Sequence, residues 1–192
     1  METKKEIRHR ILCLRKEMDP LLWQKATKEI TEKIIRHPRF LEETDIYCYV
    51  NYNGEAGTEQ ILEEAWKLGK RVWLPKVEGK EMDFYLAESR EELMPGAYGI
   101  LEPSSEVKAD GKEGLMIMPG VAFDAKRHRL GYGGGFYDKY LEKHPELYVV
   151  AIAFDYQICP EIPNEKYDIL PQKVVTERCT FPSEEAEDNI YL

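Results

Sequence analysis

Residues 45–77 read DIYCYVNYNGEAGTEQILEEAWKLGKRVWLPKV. The first seven, rich in β-branched and aromatic side chains, predict a strand. TEQILEEAWKLGK predicts a helix, with Thr58 as its cap and Gly69 as its stop. RVWLPKV then predicts a second, short strand. Strand, helix and strand in immediate succession predict a parallel pair with the helix packed across it. Working outward, MDFYLA, GLMIMPG, YVVAIAFD and a weaker KVVTE predict further strands, and FYDKYLEKH a helix that ends near Pro145. Upstream, Ile7, Ile11, Leu14 and Met18 form an apolar helical stripe. Asp19-Pro20 then supplies a cap and a first-turn proline for a second helix, which stops before Pro38. The fold class is α/β: three layers, α/β/α, with a mostly parallel sheet and helices on both faces. No repeat or low-complexity tract interrupts it. Residues 1–192 are expected to form a single domain, with an acidic, frayed end from FPSEEAEDN onward.

Composition limits the partners. The chain has 43% apolar and 33% charged residues and a net charge of −9, so nucleic acid and anionic membrane surfaces are poor partners. There is no apolar run of membrane-spanning length and no signal-peptide h-region in METKKEIRHR. Cys13, Cys48, Cys159 and Cys179 lack metal or CxxC spacing, which predicts reduced, mostly buried thiols in a cytoplasmic protein. The four histidines, His9, His37, His128 and His144, also lack metal spacing and are expected at the surface. The charge is uneven, however. Residues 1–40 hold eleven Lys/Arg against six Asp/Glu, a net +5, which leaves −14 on the remainder. Either a basic helix docks on an acidic body, or some of these cations meet a small anionic ligand.

In doubly wound folds, ligands bind beyond the carboxyl ends of the strands. The loops NYNGE, PKV, PGVAFDAKRHRLGYGGG and FDYQ all follow predicted strands and are expected to gather there. The richest segment is RLGYGGGFYD, residues 129–138, with four of the chain's 13 glycines. Glycines between a strand and a helix can turn successive N–H groups inward as an anion nest. The segment is neither GxxxxGK[ST] nor GxGxxG. Arg129 offers a planar fork suited to phosphate oxygens. Asp138 suits either a divalent ion bridging phosphates or the helix dipole. Asp168 in NEKYDIL is a second such carboxylate or an ordinary turn residue. Lys4 and Arg8 lie one helical turn apart and share a face, solvated or ligand-bound. Glu55 can accept paired hydrogen bonds from a guanidine-like edge such as a pterin's, or is plain loop charge. Tyr98 and Tyr132 suit stacking on flat rings, or packing in a core.

Taken in order, these segments resemble the 5-formyltetrahydrofolate cyclo-ligase family, also called 5,10-methenyltetrahydrofolate synthetases. KKEIRHRILCLRKEM resembles its basic opening helix, YVNYNGEAGTEQIL its folate-side loop, and AYGILEP its G-I-x-E-P turn. MPGVAFDAKRHRLGYGGGFYDKYL is similar to its signature, and AIAFDYQICPEIPNEKYDILPQKVVTE to its closing segment. Phe136 stands where many members carry tyrosine. The resemblance implies a monomeric enzyme of one-carbon metabolism that uses ATP and Mg2+ to convert 5-formyltetrahydrofolate to 5,10-methenyltetrahydrofolate, releasing ADP and phosphate. It implies that Lys4, Lys5, Glu6, Ile7 and Arg8 meet ATP. Arg129, Leu130, Gly131, Tyr132, Gly133, Gly134, Gly135, Phe136 and Tyr137 would cradle its phosphates, with Arg129 and Tyr137 catalytic. Val50, Glu55, Tyr98 and the Tyr132–Phe136 stretch would line the folate side, and Asp138 and Asp168 would hold the metal. The rival from another class is a non-catalytic nucleotide- or folate-binding domain on the same scaffold.

Overall fold

The computed structural model describes residues 2–96, 99–165 and 168–182. Its elements run α1 (Lys4–Glu17), α2 (Pro20–Ile35), α3 (Pro38–Glu42), β1 (Asp45–Cys48), α4 (Glu59–Lys67), β2 (Arg71–Glu78), β3 (Glu81–Ala87), β4 (Leu93–Pro95), β5 (Leu101–Pro103) and β6 (Leu115–Met118). They continue with β7 (Ala122–Asp124), β8 (Arg129–Leu130), α5 (Phe136–Lys143), β9 (Tyr148–Ile152), β10 (Ile158–Cys159), β11 (Lys173–Val175) and β12 (Thr180–Phe181). The main sheet has the order β12-β11-β9-β6-β1-β2-β3. Its five central strands pair in parallel, and β3 and β12 close the edges antiparallel.

Successive residues of the parallel strands point to opposite faces, and both faces are covered. Ile46, Cys48, Val72, Leu74, Ile117 and Val150 pack in one cluster with Ala26, Ile30, Ile34, Ile61 and Ala65 of α2 and α4. Tyr47, Trp73, Met116, Val149 and Ala151 pack in another with Tyr140 and Leu141 of α5. Each fully buried large aliphatic side chain in such a layer contributes ~1.5–3 kcal/mol relative to exposure. Both layers therefore hold firmly, and the three-layer α/β/α reading stands. Asp19 caps α2 by accepting from the N–H groups of Leu21 and Leu22 at 2.9 and 3.1 Å, with Pro20 in the first turn. Among the described residues, no helix is long and apolar enough to cross a membrane.

Helix α1 stands outside this sandwich. Its Ile7 and Ile11 pack on Val121, Ala122, Leu130, Cys159 and Ile162, a platform built by a three-stranded sheet of order β10-β7-β8. The sequence reads this region as loop, because strands of two or three residues are too short to show an alternating pattern. The buried stripe of α1 is Ile7, Ile11 and Arg15, whereas Leu14 is 39% exposed. Three further expectations change. PKV is not a loop: β2 continues to Glu78 and pairs antiparallel with β3. Thr58 sits at the N-cap of α4 without capping it; its hydroxyl turns inward and donates to the Tyr49 carbonyl at 2.9 Å. Of the four histidines only His9 is exposed, and His128 is held by Asp124 at 2.8 Å. All four cysteines are free, Cys48 and Cys159 buried and Cys13 and Cys179 exposed.

Candidate functional site

The hairpin β7–β8 delivers Arg129 to the start of the glycine loop, and α5 begins where that loop ends. Gly133 and Gly135 have φ of 110° and 66°, values that a side chain with a Cβ adopts only under strain. Gly135 is the N-cap of α5, so the loop meets a helix amino terminus, where partial positive charge accumulates. Against this loop lies a cavity of 340 Å³, lined by Lys4, Arg8, Pro119, residues 129–138, Glu165 and Asp168. A hollow of 390 Å³ lies at the opposite edge, around Gly114, Tyr148 and Gln172. That edge holds the amino ends of the strands and carries no glycine loop, so the smaller cavity is the candidate site.

Cations and carboxylates in the cavity are already paired. The Arg129 guanidinium, with a side chain only 6% exposed, meets the Asp138 carboxylate at 2.8 Å and lies 5.8 Å from the Tyr137 ring centre. Its Nε is buried with no hydrogen-bond partner. Lys4 bridges Glu165 at 2.8 Å and Asp168 at 3.4 Å. Arg8 Nε donates to the Gly131 carbonyl at 2.8 Å, which ties α1 to the glycine loop. The intervening residues of α1 do other work. Lys5 is exposed, Glu6 closes the capping box with Thr3, and Ile7 is core. Leu130 is likewise buried in that core, so only its backbone faces the loop.

Glu55 is 6% exposed, far from plain loop charge. Its carboxylate accepts from the Tyr52 N–H and from the Tyr132 hydroxyl, each at 2.9 Å. The Tyr132 hydroxyl also meets Arg15 Nη1, and Arg15 Nη2 donates to the Gly120 carbonyl at 3.2 Å. Burial pushes the Glu55 carboxyl above its ordinary range, against the pull of the Tyr52 N–H, Tyr132 and Arg15. Burial likewise holds the Tyr137 phenol well above its usual value, with Glu55 adding to the effect. The structure thus brings Tyr132 and Glu55 together and joins both to Arg15, which sequence reasoning missed. The available signal was a cation eight residues after Ile7 and four after Ile11, on the buried face of the helix. Val50 lines a separate shallow groove with Asn51, Thr58, Leu62 and Trp66. Tyr98 lies outside the described residues.

The family model for the 5-formyltetrahydrofolate cyclo-ligase family matches residues 1–177. The chain belongs to that family. Its members are ATP-dependent ligases. It is 32% identical over 163 residues to the mouse 5-formyltetrahydrofolate cyclo-ligase, across 77% of this chain and 80% of that one. It is 29% identical over 170 residues to the enzyme of the same name from Escherichia coli strain K12, across 84% and 93%. The solved structure of Aquifex aeolicus 5,10-methenyltetrahydrofolate synthetase superposes with a TM-score of 0.83 at 29% identity, over 93% of this chain and 91% of that one. The fold of this cyclo-ligase family member is therefore that of a solved relative, and the glycine loop and basic first helix both lie within residues 1–177 that the family model matches.

Proposed function

We propose that the protein converts 5-formyltetrahydrofolate and ATP to 5,10-methenyltetrahydrofolate, ADP and phosphate. The observation that carries this reading is the meeting of two loops. A glycine loop flanked by Lys4, Arg8 and Arg129 suits phosphates, and its Tyr132 touches the buried Glu55 carboxylate suited to a pterin edge. One loop thus faces both substrates. The chemistry requires that proximity. A formamide oxygen leaves poorly, so its carbonyl oxygen takes the γ-phosphoryl group of ATP. N10 then attacks the activated carbon and loses its proton, and phosphate departs with the former formyl oxygen. The protein positions the reactants and balances charge, as in phosphoryl transfer generally. Arg129 and Tyr137 sit at the transfer region, while Lys4 and Arg8 hold ATP from α1. Lys5, Glu6 and Ile7 support that grip through the backbone and packing of the helix. Val50 and Tyr98 belong to the folate side.

Asp138 and Asp168 line one cavity, and two carboxylates plus substrate phosphates match the way Mg2+ is held. Among the described residues no group of three acidic, histidine or cysteine side chains gathers, so the nucleotide would complete the set. Bound there, the ion would neutralise phosphate charge. The chain acts as one cytoplasmic domain and as a monomer, without nucleic acid or membrane; its free thiols and its −9 charge support this. The test is ADP release with and without 5-formyltetrahydrofolate. Folate-dependent ADP supports the ligase. No ADP with both ligands bound leaves a binding domain instead, and ADP release indifferent to folate makes the protein a nucleotide hydrolase and not this ligase.

A further inference from the structure

Arg15 is 5% exposed, and a buried charge is retained only against a desolvation penalty. Its bonds do not explain its place as a fold element alone. Nη1 meets the Tyr132 hydroxyl, Nη2 reaches the Gly120 carbonyl, and Nε is buried without a partner. The Tyr156 hydroxyl is also buried and faces Arg15, whose charge works against the burial that raises its phenol. Arg15 is thus the point where the loops after β1, β6 and β9 converge with the glycine loop. The pairing at Glu55 matters as much. Tyr132 is 49% exposed and Glu55 6%, so the tyrosine lies over the carboxylate with its O–H on Oε1 at 2.9 Å. A pterin edge donating to both oxygens needs that position.

We propose that Arg15 is a positioning and specificity residue for the reaction: the Tyr132 phenol, held between Arg15 and Glu55, stands where the substrate's N–H edge binds, and folate enters by displacing it while Arg15 stays as the counter-charge of Glu55. This rests on the reading of Glu55 as the folate carboxylate. The groups facing Glu55 are Arg15 from α1, Tyr132 from the glycine loop, Tyr49 from the end of β1 and Tyr137 from α5, with the Tyr52 N–H from its own loop. Arg15 is the cation among them. Once the phenol leaves, that charge keeps the buried carboxyl ionised and able to accept two hydrogen bonds. Because Tyr132 sits on the phosphate loop, folate binding also releases that loop toward ATP, which links the two sites.

Arg15→Met, Arg15→Lys, Tyr132→Phe and Glu55→Gln decide it, by titration calorimetry with each substrate and by pH profiles of kcat/KM for folate. Arg15→Met is expected to weaken folate binding by about tenfold or more, as loss of a charge-assisted contact does. ATP binding should stay within about twofold, a split that general destabilisation would not give. The acid limb of its pH profile, which reports the free enzyme, should move to higher pH because Glu55 loses its counter-charge. Arg15→Lys should restore the limb while leaving folate weak, since charge returns without the planar fork. Tyr132→Phe should move the other way and tighten folate by about tenfold or more, the size of one hydrogen bond to a carboxylate no longer broken. A native folate affinity and limb in Arg15→Met overturn the proposal. So does a Tyr132→Phe variant that fails to bind folate more tightly. If Arg15→Met does not fold, Arg15→Lys and Tyr132→Phe decide in its place. If Glu55→Gln leaves folate binding native, the parent reading fails. If Glu55→Gln weakens folate while Arg15→Met is silent, only the present inference fails.

Discussion

At position 138 the proposed reading gives the side chain two partners. The Asp138 carboxylate meets Arg129 at 2.8 Å, and in turnover it would face the metal on the same cavity wall. Asp138→Asn keeps the shape and removes the charge. Turnover at saturating folate and ATP should fall by about tenfold or more, and half-saturation should need more magnesium. ADP formation across a magnesium titration checks this; an unmoved magnesium midpoint would remove Asp138 from the metal site. Individual residues were unevenly legible in the sequence. Arg129, Asp138 and the glycines announce themselves by clustering. Glu55 was readable as a candidate but not as buried, because its partners are distant in sequence, Tyr132 lying 77 positions away. Arg15 was invisible because a helical stripe is scored on apolar residues, and the stripe here ends on a cation.

Among the elements, α1 decides how the site is built. Its stripe anchors it to the small sheet β10-β7-β8, and Arg8 fixes it to the Gly131 carbonyl. Arg8→Ala should raise the apparent KM for ATP by about tenfold, while ligand-free stability drops by no more than ~1 kcal/mol, because a half-exposed charge contributes little to folding. Arg8→Lys should fall between the two, since it lacks the fork. Kinetics over an ATP series with melting curves measure both, and wild-type ATP kinetics in Arg8→Ala would make α1 a docking helix only. Elements with strong periodicity were legible: α2 with its Asp-Pro start, the β1–α4–β2 unit, β6 and β9. The small sheet was not, because its seven residues of strand sit among glycine, arginine and proline and gain order only from the helix above them. The antiparallel β2–β3 hairpin was also hidden, since pairing direction is set by the turn at residues 79–80 and not by side-chain pattern.

For the whole molecule, the sheet separates a bottom edge that serves stability from a top edge that serves chemistry. Asp45, at the start of β1, shows the first role. It accepts from Arg71 at 2.6 Å, Trp73 at 2.7 Å and Thr44 at 2.9 Å. Burial alone would raise its carboxyl, but these donors hold it below its ordinary value of 3.8. A depressed folded value means stability that is present above the unfolded value and lost as pH falls through the folded one. Asp45→Asn should therefore lower stability by about 1–3 kcal/mol at neutral pH. The difference should shrink to nothing in strong acid, and melting curves from pH 7 down to about 2 would follow it. A gap that persists at low pH would assign the loss to packing. The fold class and the edge that bears the site were legible at this scale, because alternating strands and helices allow few arrangements. The central claim is that phosphate leaves with the formyl oxygen, and it can be followed directly. 5-Formyltetrahydrofolate carrying 18O in its formyl group is turned over with unlabelled ATP in unlabelled water, and the released phosphate is analysed by mass spectrometry. The account predicts one 18O atom in each phosphate formed; unlabelled phosphate, with the label passing to water, would contradict it.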